Sequence, residues 1–155
     1  MRRCVECGKA ELRKASVRHS MAVGPYSVTG DLDARRCRHC GAVFFTADVV
    51  RQFEQRAAKH LAELGAHSGE TFRFMRKTLG LRAAELGGLL DVTAETISRW
   101  ETGEREVDRK AAALLQAMVI EAASGKGDTR RRLELQKRGA AGVLRQVDVG
   151  HVAAA

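Results

Sequence analysis

Leu79-Gly-Leu-Arg-Ala-Ala-Glu-Leu-Gly-Gly-Leu-Leu-Asp-Val-Thr-Ala-Glu-Thr-Ile-Ser-Arg-Trp-Glu-Thr-Gly103 reads as two short helices joined by a tight turn. Leu86, Leu89 and Leu90 fall on the inner face of the first helix, Arg82–Leu90, and Val92, Ile97 and Trp100 on the inner face of the second, Ala94–Glu101. Gly87 removes a side chain where the two cross, and Asp91 tolerates the left-handed backbone that a sharp turn needs. Thr93 can cap the second helix and Gly103 stops it. Thr93, Ala94, Glu95, Thr96 and Arg99 are then left on the outer side. A short, capped, polar helix presented in this way is what the major groove of DNA admits.

Working outward, the periodicity predicts a helix over Glu70–Leu79 stopped by Gly80, and one capped by Asp108 that runs from Arg109 to about Ala123. Upstream, Thr46 can cap a helix from Ala47 to about Leu64, with Val49, Val50, Phe53, Ala57, Leu61 and Leu64 on one face. Ala66-His67-Ser68-Gly69 would serve as a hinge. Trp100 belongs to the core. Glu101, Glu104, Glu106 and Asp108 form an acidic run that would repel DNA unless Arg105 and Arg109 face it.

All four cysteines sit in two Cys-x-x-Cys-Gly pairs, Cys4/Cys7 before Gly8 and Cys37/Cys40 before Gly41. A two-residue gap lets both sulfurs of one turn face a single metal, and four thiolates complete a tetrahedron. We therefore read Cys4, Cys7, Cys37 and Cys40 as ligands of one structural Zn2+; iron is the other metal such a set could take. Disulfides are the competing reading, and they fit poorly with an N-terminus that has no apolar signal segment. A closed four-thiolate site keeps no open coordination position, so it is structural and not catalytic. His39, inside the second pair, is surplus to the tetrahedron. Between the pairs, Lys14–Val28 alternates loosely, with turn signals at Gly24-Pro25 and Gly30-Asp31, so short antiparallel strands are expected.

The chain has 155 residues and a net charge of +8. Residues 1–46 hold nine Lys/Arg against four Asp/Glu and residues 125–155 seven against three, whereas 47–124 hold eleven against twelve. The basic excess thus belongs to the two ends, and a tetrathiolate zinc would remove two units from the first. An anionic partner is favoured overall. No run of eighteen apolar residues occurs, which points to a cytoplasmic protein with no membrane partner. No Ser/His/Asp set, useful carboxylate pair or phosphate-cradling glycine loop suggests an enzyme.

The Thr96-Ile-Ser-Arg-Trp-Glu-Thr-Gly103 ending resembles an XRE (Cro-like) helix-turn-helix, and the cysteine pairs upstream make the whole of residues 1–124 resemble the MqsA/YgiT-type antitoxins. With the residue patterns above, the resemblance implies an α+β, zinc-ribbon-like module (1–46), a connecting helix and hinge (47–67) and an all-α XRE helix-turn-helix domain (68–124); the basic tail (125–155), partly disordered or carrying a short helix at Thr129–Arg138, is read from composition and has no counterpart in the resemblance. It implies a homodimeric repressor that binds a palindromic operator in double-stranded DNA, and a zinc domain that docks a small ribonuclease toxin. By position, Ala94, Glu95 and Arg99 would face base edges, and Thr93 and Thr96 phosphate or base. Where the family opens the first of the two helices with a hydroxyl and a glutamine, this chain has Arg82 and Ala83, of which Arg82 can reach phosphate. Arg105 would add a contact from the loop. Two other readings stay open: a stand-alone zinc-stapled regulator, and a zinc module that binds RNA or protein beside a helical dimerisation platform.

Overall fold

The structure, a computed structural model, describes residues 3–137. The expectations for the chain beyond 137 lie outside the described residues. A hairpin of β1 (Leu12–Val23) and β2 (Tyr26–Cys37) is followed by a short β3 (Val43–Phe44) and six helices: α1 (Ala47–Glu63), α2 (Gly69–Thr78), α3 (Ala83–Leu90), α4 (Ala94–Thr102), α5 (Arg109–Ser124) and α6 (Thr129–Lys137). The sheet is antiparallel in the order β1-β2-β3.

The hairpin is longer than short strands would give. Its ladder is unbroken from Leu12↔Cys37 at the base to Val23↔Tyr26 at the tip. Gly24 takes φ 55 there, and the ring of Pro25 fixes the next φ near −65°, the pair of backbone angles a two-residue hairpin loop needs. Gly30-Asp31 is not a turn. Both residues lie inside β2, opposite His19 and Arg18, and Arg18 donates to Asp31 across the ladder at 3.0 Å. Glycine at 30 serves packing instead: a Cβ there would stand 3.0 Å from the Phe53 ring of α1. One face of the sheet, with Leu32 and Ala34 buried, lies toward α1; His19 meets Phe45 and Phe53 edge-on at 5.5 and 5.3 Å.

Thr46 caps α1 by accepting from the Val49 amide, as its sequence foretells. The buried face carries Phe53, Ala57, Ala58, Leu61 and Ala62, and the three alanines let α1 lie close to the elements that flank it. Leu64, expected on that face, is 72% exposed: it is the C-cap, past the last helical turn, and the chain reverses at Gly65 with φ 70. Ala66 is buried and its carbonyl accepts from Gln116 Nε2 of α5 at 3.0 Å.

One apolar cluster runs from Val23 at the hairpin end through α1 and α2 to Leu86, Ile97 and Leu115, the last three fully buried. Gly24 is pressed against Ser68 and Glu70 at the start of α2. Trp100 is core, as its place on the inner face of α4 requires, and stacks edge-on against Phe72 at 5.8 Å. Thr93 and Asp108 cap α4 and α5, and Gly103 closes α4 in left-handed conformation, as expected; Ser68, read as part of a hinge, caps α2, and Gly125 closes α5 in left-handed conformation.

Candidate metal centre and exposed helix face

The two cysteine pairs fold alike because each closes the same backbone loop. Cys4 N–H donates to the Lys9 carbonyl and Gly8 N–H to that of Cys4; Cys37 donates to Ala42 and Gly41 to Cys37 in the same pattern, at 2.8–3.0 Å. Gly8 and Gly41 supply the positive φ, 73 and 76, that this loop demands. The ladder between Leu12 and Cys37 then brings the loops face to face.

All four sulfurs lie within 4.8 Å of one another. Cys4 and Cys40 stand 3.6 Å apart, Cys7 and Cys37 3.7 Å. Sulfurs held at about 2.3 Å from one metal stand about 3.8 Å apart along the edges of a tetrahedron, whereas a disulfide needs about 2.05 Å. The geometry fits a shared cation. The chemistry agrees: a backbone hydrogen bond from Cys40, opposed by burial and helped by His39 and the neighbouring sulfurs, pulls the Cys37 thiol down to about 6. Cys7 receives a backbone bond from Lys9 that lowers it, but burial and the other three sulfurs push it up to about 12; Cys40, lowered by a bond from Ala42 and by Cys7, is raised on balance by burial, Cys4 and Cys37. Four thiolates so close do not ionise together unless a cation sits among them. His39 stays outside the cluster, exposed, with Lys9 Nζ 3.1 Å from its Nδ1.

The second candidate surface lies on the outer side of α4, whose inner face belongs to the apolar cluster. Asp91 turns the chain at φ 56 between α3 and α4, and Gly87 N-terminal to that turn has room only for hydrogen, since a Cβ would come 2.7 Å from the Val92 carbonyl oxygen. Ala94, Glu95 and Arg99 are exposed on α4, while Ile97 and Trp100 are buried behind them. Thr93 Oγ1 accepts from the Thr96 amide at 3.1 Å and lies 3.0 Å from the Thr96 hydroxyl. Ser98 is exposed on the same helix and escaped the sequence reading, although its spacing from Glu95 and Arg99 already put it at the surface.

The charges here are arranged differently from their order in sequence. Arg99 is bound to Glu95 at 2.6 Å and lies 4.0 Å from Glu104. Glu101 does not belong to an acidic rim: it points inward, 7% exposed, and takes both prongs of Arg76. Asp108 is occupied in capping α5. Arg105 is exposed and its amide donates to the Arg99 carbonyl at 3.1 Å, which ties the loop to the end of α4. Arg82 is the N-cap of α3, largely exposed, and its amide donates to Glu85 Oε2 at 2.6 Å. That bond, with the Arg82 guanidinium, holds the Glu85 carboxyl below its ordinary range.

No helix among the described residues is long and apolar enough to cross a membrane. Among curated proteins no relative matches the chain. A family profile described as the antitoxin component of bacterial toxin–antitoxin systems, MqsA, matches residues 1–122, a span that takes in the four-cysteine cluster, the hairpin and every helix from α1 to α4 with most of α5. With that span covering more than three quarters of its length, the chain belongs to the MqsA antitoxin family.

Proposed function

We propose that this antitoxin-family chain represses its own operon by reading DNA with α3 and α4, and that its four-cysteine module, held by one structural zinc, docks a small ribonuclease toxin. The observation that carries the DNA reading is the exposure of Ala94, Glu95 and Arg99 together on one capped helix whose opposite face is buried. Such a helix fits the major groove, with Arg99 placed to pair with guanine O6 and N7 and Glu95 to orient it. Thr93 and Thr96 at the helix start, Arg82 at the start of α3 and Arg105 in the following loop are the phosphate or base contacts of this reading. Two copies on a palindrome supply the affinity that one small, nearly neutral helical unit lacks. Zinc is favoured over iron because an isolated pair of Cys-x-x-Cys loops closes a tetrahedron without any redox role. The family is a regulatory one and not an enzyme family.

The test is a salt-titrated binding assay of the full chain on the DNA upstream of its own gene and on a scrambled duplex. Tighter binding to the upstream sequence is expected, with Arg99→Ala weakening it by about 1–3 kcal/mol and relaxing preference at one base pair. Equal affinity for the two duplexes would overturn the repressor reading. Toxin docking is tested separately, by co-expression with a small reading frame beside the gene; a complex that persists when Arg99 is replaced but fails when Cys37 is replaced is the expected result.

A further inference from the structure

The family match ends at residue 122, yet the chain beyond it is built onto the helical unit. Gly125 reverses the chain with φ 66, and Glu121 then accepts from both the amide and the hydroxyl of Thr129 at 3.0 and 2.7 Å, fixing the start of α6. Leu133 packs against the core, and α6 lies against both α3 and α5. Its first turn comes near the first turn of α3, where the charge of Arg130 joins the stronger effects of Arg82 in lowering the Glu85 carboxyl.

Residues 47–124 carry eleven basic against twelve acidic side chains, so the helical unit proper has no net positive charge to draw a polyanion. Residues 125–137 add five basic against two acidic. Arg130 and Arg132 are paired along the helix with Glu134 and Asp128, at 3.1 and 2.7 Å, and both pairs are exposed. Lys126 and Arg131, also exposed, have no carboxylate partner among the described residues. Exposed pairs of this kind are weak and exchange readily for a phosphate.

We propose that α6 is a phosphate-binding shoulder of the DNA surface, with Lys126 and Arg131 gripping the sugar–phosphate backbone beside the phosphate assigned to Arg82. This rests on the DNA reading above. The shoulder adds sequence-independent attraction to that of Arg82 and Arg105, and leaves base selection to α4.

The experiment repeats the salt titration on the upstream and scrambled duplexes with the full chain, the double variant Lys126→Ala/Arg131→Ala, and Arg99→Ala; thermal unfolding verifies that each variant is folded. The double variant is expected to bind both duplexes about tenfold more weakly, to reduce the slope of log K against log salt by about one to two, and to keep the ratio between the duplexes. Unchanged affinity and slope, with Arg99→Ala still losing selectivity, would overturn the shoulder and leave the DNA reading standing. A loss confined to the upstream duplex would assign the two residues to base reading and overturn the phosphate role. Absence of duplex binding by the unaltered chain would overturn both readings together.

Discussion

Arg76 of α2 and Glu101 of α4 form a two-pronged ion pair in the interior of the helical unit, Nε to Oε1 at 2.5 Å and Nη2 to Oε2 at 2.9 Å, with both side chains at most 10% exposed. Arg76 Nη1 also donates to the Leu81 carbonyl at 2.6 Å, so one guanidinium ties together α2, the loop before α3 and the last turn of α4. The pair withdraws a negative charge from the neighbourhood of Arg99 and fixes the helix that displays it. Parallel N–H···O bonds to a carboxylate are among the stronger polar contacts a protein makes.

Breaking that pair should therefore be costly. Glu101→Ala strands a buried guanidinium and is expected to destabilise the chain by about 3–5 kcal/mol. Replacing both partners, Arg76→Met with Glu101→Leu, removes the stranded charge and should recover most of that loss. Urea denaturation of the three variants checks this; equal losses in single and double variants would show that the pair contributes packing and not charge.

Metal removal should act locally first. Chelation, or Cys37→Ser, is expected to reduce the bound metal from one per chain to none and to unfold the cysteine loops and the base of the hairpin, because metal binding and folding are linked there. Metal analysis with amide-exchange measurements across residues 3–46 reads the outcome. Because thiols must lose protons to bind a cation, retention of metal should weaken as pH falls. Retention of one metal and native protection by Cys37→Ser would exclude the tetrahedral site.

Gly69 sits so close to the end of α4 that a Cβ would collide with the Trp100 carbonyl oxygen, a backbone atom that cannot step aside. Gly69→Ala should cost about 1–3 kcal/mol by overpacking despite the better helix propensity of alanine. At Gly30 the obstacle is the Phe53 ring, a side chain at 3.0 Å. Gly30→Ala should thus be partly rescued by Phe53→Leu, while Gly69→Ala has no comparable rescue; thermal midpoints of the single and paired variants decide.

Glu95→Gln tests whether the exposed pair with Arg99 matters to stability or to recognition. An i,i+4 pair this exposed contributes about 0.3–0.5 kcal/mol to the helix, so unfolding should hardly change. Under the proposed DNA reading, base preference at the position assigned to Arg99 should loosen, as selection experiments on randomised operators would reveal. Unaltered preference would make Glu95 a solvated bystander.

The helices and their ends were legible residue by residue. Thr46, Thr93 and Asp108 cap where hydroxyl and carboxylate side chains precede apolar periodicity, and Gly103 stops α4 where a left-handed residue is needed. These are local effects that depend on a few neighbouring residues. The cysteine cluster was legible too, since four identical ligands in two equal spacings leave few other uses. Gly30 and Leu64 were not: one looked like a turn and is a strand residue chosen by an aromatic ring on α1, the other fits the helical period yet lies one residue past its end.

The sequence by itself determined which segments form helices, where they stop, that four sulfurs share one site and which side chains of α4 are left over once its apolar face is buried. Each follows from periodicity, capping chemistry or ligand spacing. Only the tertiary structure decided where the charges of that surface go. Glu101 reads as one more acidic residue in a run of them, and turns inward because Arg76, twenty-five positions earlier, is fixed across from it by the packing of α2 on α4. The placement of α6 beside α3 was settled in the same way, by Leu133 packing on a core built from residues far from it in sequence, while Glu121 fixes only the nearby start of the helix, since a side chain's environment is set by what the folded chain brings to it.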